Sequence, residues 1–216
     1  MRKLLLLALV VLSFAQPIYA QNTAITLTIE PGFGGYFRDS AWTPVVVRAA
    51  NDGETVTGRL VIRPETSGSG ITNTYSTPIT LPAGARQSAP LYITARSFAS
   101  QVRVELIDDS GMVIAQKEAG LRAIQAQDRL NVVISDSPVG AVDLSSIHAG
   151  NYNGFQADWT IDDLPEENAL DSVDLILLTD VDTGTISSGQ YQTLVDWVAS
   201  GGHLIVTGGQ SWQATA

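Results

Sequence analysis

The sequence predicts two fold classes in one chain: an all-β antiparallel sandwich over residues 21–118 and a parallel α/β sheet over residues 128–216. Three observations carry this expectation. From Ala24 to Glu118, short segments of alternating apolar and polar residues recur between turn signals, the pattern of strands buried on one face. Beyond Asp128 the apolar runs become nearly continuous, as strands covered on both faces require. Between the last two of those runs lies a segment with signals for both helix ends, so strand, helix and strand follow one another as in a parallel crossover.

In the first region "AITLTIE", "TPVVVRAAN", "TVTGRLVIRP", "NTYSTPITL", "APLYITA", "SQVRVELID" and "MVIAQKE" supply about seven strands. Val102, Val104 and Leu106 point to one side while Arg103 and Glu105 point to the other, the period of two of a half-buried strand. Asn51-Asp52-Gly53, Pro82-Ala83-Gly84 and Asp108-Asp109-Ser110-Gly111 separate strands and tolerate turn dihedrals. Short strands at this spacing predict an immunoglobulin-like sandwich. The stretch "LPAGARQSAPLYI" resembles a hairpin of bacterial cell-surface sandwich modules. "PGFGGYF" (31–37) has three glycines and three aromatics. It lacks the strand-then-helix setting that cradles phosphate, so it reads as a bulge or loop whose aromatics cap the sandwich. Trp42 reads as a core or rim aromatic, and "TSGSG" (66–70) as a flexible loop.

Residues 119–127, "AGLRAIQAQ", read as a linker. After it "RLNVVIS", "VDLILLTD" and "HLIVTGG" are the buried parallel strands, with "FQADWTID" as another nearer an edge. In the helix, Ser187 and Gln190 fit a capping box, Ile186 and Tyr191 a hydrophobic staple, and Gly201 a left-handed stop. Tyr191, Leu194, Val195 and Val198 follow the helical period and predict the face that packs on the sheet.

The N-terminus fixes the compartment. Arg2 and Lys3 precede an unbroken apolar run from Leu4 to Leu12, and Pro17 and Ala20 follow. That run is about half of the roughly 20 residues needed to cross a bilayer, so residues 1–20 read as a cleaved signal peptide and the protein as exported: periplasmic, cell-surface or extracellular. The chain has no Cys, which excludes a lipoprotein anchor, disulfides, thiolate metal ligands and a Cys nucleophile. Residues 21–127 carry nine acidic and nine basic side chains, whereas from Asp128 onward thirteen Asp and Glu face Arg129 alone. Such a half repels nucleic acid and anionic lipid and keeps an exported protein soluble.

At the end of the chain a family resemblance emerges. Residues 164–209, "LPEENALDSVDLILLTDVDTGTISSGQYQTLVDWVASGGHLIVTGG", resemble the class I glutamine amidotransferase-like superfamily. The likeness is strongest to exported members, with an apolar strand, an acidic loop, Ile-Ser, Gln, Leu, Trp-Val, Gly-Gly and a further apolar strand ending in Gly-Gly. The resemblance implies a flavodoxin-like parallel sheet, usually of about five or more strands. It also implies, in catalytic members, a Cys nucleophile on the elbow after the last strand. Here that elbow is Thr207-Gly208-Gly209-Gln210, so amidotransferase activity is not expected. Members of this layout continue through further extracytoplasmic domains to a C-terminal membrane helix. Residues 128–216 are therefore expected to be an incomplete domain, and any membrane contact to run through an anchor outside this chain.

Open α/β sheets bind ligands beyond the carboxyl ends of their strands, which gathers Asp136, Asp180, Asp182, Gly208 and Gly209 as candidate ligand-binding residues. The three carboxylates could hold calcium through oxygen ligands, although Asp and Ser at strand ends are also ordinary turn and cap residues. "DSPVG" (136–140) resembles an Asp-x-Ser-x-Ser metal site only in part, because Pro138 replaces a required Ser. His148 and His203 stand in different segments without partners at ligand spacing. No catalytic residue is named. The expected function is a non-catalytic extracytoplasmic interaction protein that binds a protein or a cell-surface glycan. The alternative is a sugar-directed or metal-assisted hydrolase whose catalytic residues lie partly beyond residue 216.

Overall fold

The computed structural model describes residues 24–63, 73–136, 142–146 and 152–207. The signal segment, the 66–70 loop, residues 137–140 of "DSPVG", His148 and the Gly208-Gly209 pair lie outside the described residues. Within them the chain is mostly β-sheet, and no helix is long and apolar enough to cross a membrane.

The strands are β1 (Ile25–Pro31), β2 (Tyr36–Phe37), β3 (Trp42–Asn51), β4 (Val56–Ile62), β5 (Tyr75–Leu81), β6 (Arg86–Thr94), β7 (Gln101–Asp108) and β8 (Val113–Gly120). There follow β9 (Arg122–Ala123), β10 (Arg129–Ile134), β11 (Gly154–Trp159), β12 (Leu175–Thr179), helix α1 (Ser188–Ala199) and β13 (His203–Thr207). The seven segments expected as strands are β1 and β3 to β8. They form two antiparallel sheets, β1-β3-β6 and β5-β4-β7-β8. Ile25, Leu27, Val45, Val47, Leu91 and Ile93 of one share a core with Leu60, Ile62, Ile79, Leu81, Val104 and Leu106 of the other. Each such buried side chain contributes about 1.5–3 kcal/mol. Asn51 is buried among them. Its amide donates to the carbonyls of Glu54, Leu81 and Pro82, and its Oδ1 accepts from Gly53 N, so one side chain fixes two turns.

The second sheet is wholly parallel, in the order β11-β10-β12-β13. Leu130, Val132 and Ile134 of β10 lie on one face with Ala157, Ile176 and Leu178. Helix α1 starts as its capping box predicts, with Ser187 Oγ accepting from Gln190 N and Gln190 Oε1 from Ser187 N. The side it buries differs from the expected one. Gln190, Thr193, Leu194 and Trp197 face the interior, while Tyr191, Val195 and Val198 are exposed. Trp197 decides this: its indole N–H donates to Val173 O, and its ring fills the space where Gly202 would carry a Cβ. Strand β13 is also not buried as expected. Leu204, Ile205 and Val206 are exposed at the end of the sheet, because among the described residues β12 is its only neighbour.

The glycine-rich loop does more than cap the sandwich. Gly32, Gly34 and Gly35 all have positive φ, which lets successive aromatics point in opposite directions. Phe37 enters the sandwich core. Phe33 enters the core of the parallel sheet, stacked on Trp159 at 5.1 Å, and Tyr36 lies 4.8 Å from Phe155. Residues 119–127 are similarly tied down. Arg122–Ala123 pair in parallel with Tyr36–Phe37, Leu121 is buried in the first core and Ile124 in the second.

Candidate functional site

The outward face of sheet β1-β3-β6 is unusual for a sandwich. Trp42, Pro44 and Val46 of β3 sit beside Tyr92 and Pro90 of β6, so β3 is apolar on both sides. Opposite them runs the loop after β11. A 3-10 turn, Ile161–Asp163, opens it, with Asp163 Oδ2 accepting from both Thr160 N and Thr160 Oγ1. The buried Gln190 at the start of α1 donates to the carbonyls of Ile161 and Leu164 and so fixes the loop to the helix. Glu166 rests against Gly189 and accepts from Ser187 Oγ at 2.7 Å, which places a carboxylate at the positive end of the helix.

Between these walls lies an open groove of about 970 Å³. Trp42, Tyr75 and Tyr92 line one side, and Asp162, Asp163, Glu166 and Glu167 the other. Trp42 is 43% exposed and meets Tyr75 edge to face at 6.1 Å. Burial opposes ionisation of Tyr75, but its hydrogen bonds with Thr94 and Asn73 outweigh this and hold the phenol below its ordinary value. Burial, and then the charge of Glu167, push the Tyr92 phenol up.

Two arginines tie distant parts of the chain together near the groove. Arg38 uses its whole guanidinium: Nε donates to Ser172 O, one terminal nitrogen to the carbonyls of Gln125 and Ala126, and the other to Asp128 O and to Asp174 Oδ2 at 2.6 Å. Asp174 also accepts from Arg129 and from Leu130 N. Arg48 joins Glu30 on β1 to Asp163 in the loop.

The carboxyl-end rim is assembled only in part. With strand order β11-β10-β12-β13, the chain reverses direction across the sheet between β10 and β12, the position where such sheets form a crevice. Asp136 and Asp182 flank it, and Asp182 N donates to Asp136 Oδ2 at 3.4 Å. The Asp182 carboxylate, however, caps its own 3-10 turn by accepting from Gly184 N. Asp180 takes a left-handed backbone conformation, φ 54°. Among the described residues no three His, Asp or Glu side chains converge as metal ligands. Gly208 and Gly209 lie outside the described residues. His203 is exposed, and its N donates to Asp174 O.

Residues 24–122 match the model of a domain of unknown function, DUF8726. That span runs from the residue before β1 to the first residue of β9. No curated protein matches the chain. Solved structures with partial similarity include the alkylpurine DNA glycosylase AlkC of Pseudomonas fluorescens, bound to DNA containing an abasic site analog (15% identity, 46% of this chain, 31% of that chain, TM-score 0.31). Others are the sporulation control protein Spo0M of Bacillus subtilis (9% identity, 48% of this chain, 51% of that chain, TM-score 0.33) and a cycloisomaltooligosaccharide glucanotransferase of Paenibacillus complexed with cycloisomaltoheptaose (12% identity, 82% of this chain, 26% of that chain, TM-score 0.35). This chain thus spans a third to a half of the length of the first two. No property of these proteins transfers at such scores.

Of the groove's lining residues the sequence singles out only Trp42 and, as a helix cap, Gln190. One signal for the groove is present all the same. In "WTPVVV" (42–47) the apolar residues fall on both parities, Pro44 and Val46 as well as Val45 and Val47, and a strand of that kind needs cover on both faces.

Proposed function

We propose that the protein is an exported, non-catalytic binding protein whose contact surface is the groove between its two halves. The observation that carries this is the groove's composition and place: an aromatic wall and a carboxylate wall brought together from distant parts of the chain. Ligand sites favour such junctions. In this reading residues 21–118 are an immunoglobulin-like sandwich. Residues 128–216 are part of a flavodoxin-like domain, for which the parallel order of β10 to β13 is supporting. The likeness of residues 164–209 to amidotransferase-like domains, together with the absence of Cys, supports a scaffold that has lost its chemistry. The N-terminal signal pattern supports export, and the same family likeness supports a larger surface or membrane-anchored protein of which this is the N-terminal part.

Two measurements test this. Ser88 lines the groove, and Ser88→Trp fills it, so saturable binding by the folded protein is expected to be lost in that variant. In parallel, the purified protein is assayed on panels of amide, ester and glycoside substrates, with no turnover expected. Turnover abolished by a single substitution at Asp136, Asp180 or Asp182 would favour the hydrolase alternative and end the non-catalytic reading.

A further inference from the structure

We infer that the groove takes an extended, Lys- or Arg-bearing polypeptide segment. The inference rests on the groove being the binding surface and adds the class of its occupant. Charge is the first argument. Asp162, Asp163, Glu166 and Glu167 line the groove, and among the described residues no Lys, Arg or His does. The adjacent cation, Arg48, is spent on Glu30 and Asp163. Asp162, Glu166 and Glu167 are exposed, so a cationic side chain reaches them without full desolvation.

The opposite wall supplies the second argument. Trp42 and Tyr75 present ring surface, and Pro44, Val46 and Pro90 present aliphatic surface. Rings attract a cation to their faces, and the long stems of Lys and Arg lie along apolar surface while their charged heads stay wet. A wall of this kind opposite carboxylates holds both parts of such a side chain.

The third argument selects a polypeptide over a sugar or a small amine. The groove is bounded by two edge strands, β5 through Tyr75, Ser76 and Thr77, and β6 through Ser88, Pro90 and Tyr92, each paired, among the described residues, on one side only within its sheet. An edge strand offers backbone donors and acceptors to an extended chain, and alternate side chains then enter pockets on one face. Charge on alternate residues suits that geometry.

The test uses the whole protein and three probes: an alternating Lys-Ala peptide, its Glu-Ala counterpart and neutral maltohexaose, each titrated calorimetrically and by tryptophan fluorescence. The Lys-Ala peptide is expected to bind with one-to-one stoichiometry, weaken as salt rises, and become about tenfold weaker in Glu166→Gln/Glu167→Gln. The control Asp109→Asn/Asp196→Asn removes the same charge from exposed sites outside the groove lining and is expected to bind as the native protein does. Circular dichroism verifies that both variants fold. Equal weakening in both variants would reduce the effect to net charge and overturn the inference, as would no binding of the Lys-Ala peptide. Maltohexaose binding that is lost in Ser88→Trp, with the Lys-Ala peptide inert, would overturn the occupant while leaving the groove as the binding surface. Binding of any probe that Ser88→Trp leaves intact would overturn the groove itself.

Discussion

Single residues at the junction carry more than one duty, and Asp128 is the clearest case. It lies immediately before β10, where its carboxylate accepts from Gln125 N, Asn153 N and the Asn153 amide. Burial opposes its charge, but these hydrogen bonds, with the positive charge of Arg38, outweigh burial and leave its carboxyl below the ordinary carboxylate value. A carboxylate depressed in the folded state gives stability that is complete above its unfolded value, about 3.9, and that fades as pH falls through the folded value. Asp128→Asn keeps the shape and deletes the charge. The gap in urea midpoint between native protein and variant is therefore expected to be steady from about pH 7 to about pH 5 and to close below about pH 3.9. A gap that persists unchanged into strong acid would show that ionisation of Asp128 adds nothing.

At the scale of elements, the sequence and the structure part where periodicity ends. The sandwich strands and β10 to β13 are legible because their apolar residues repeat every second position or run without a break. The α1 caps are legible because Ser187, Gln190 and Gly201 stand at fixed spacings. Strands β2 and β9 have two residues each, too few to show any period. The buried side of α1 escapes the pattern because the helix carries two adjacent apolar stripes, and the bulk of Trp197 selects one. Among the candidate residues Asp136 and Asp182 do meet, yet the groove was out of reach, since Trp42 and Glu167 share no local pattern. The glycine turn that joins the halves makes its own prediction. A Cβ on Gly32, φ 56°, would lie 2.5 Å from Tyr36 O, whereas one on Gly84, φ 74°, meets nothing within 4 Å. Both alanine variants are strained by about 1 kcal/mol, and Gly32→Ala is expected to cost distinctly more in thermal denaturation. Equal losses would mean that the loop relaxes freely.

For the molecule as a whole, the question is whether the two halves unfold together. Interfaces between domains are often modest and allow relative motion by default. Here Phe33 is fully buried on the far side, and Arg38 spends every donor across the junction. One thermal transition is expected, with tryptophan fluorescence and far-ultraviolet circular dichroism coincident. Phe33→Ala is expected to cost about 3–5 kcal/mol and Arg38→Met about 3 kcal/mol, and each to separate the two signals. Separate transitions in the native protein would show that the halves are independent. The placement of Phe33 also orders events in time. The side chain leaves the ribosome before any of β10 to β13, and its stacking partner Trp159 follows only after the rest of the sandwich has been made. If the sandwich closes before the second sheet forms, Phe33 is left as an exposed apolar ring until Trp159 arrives. In that case refolding of a variant in which Trp159 is the one remaining tryptophan is expected to show strand signal gained before the tryptophan emission changes, with aggregation confined to the interval between them; coincident changes would show that the two sheets form together.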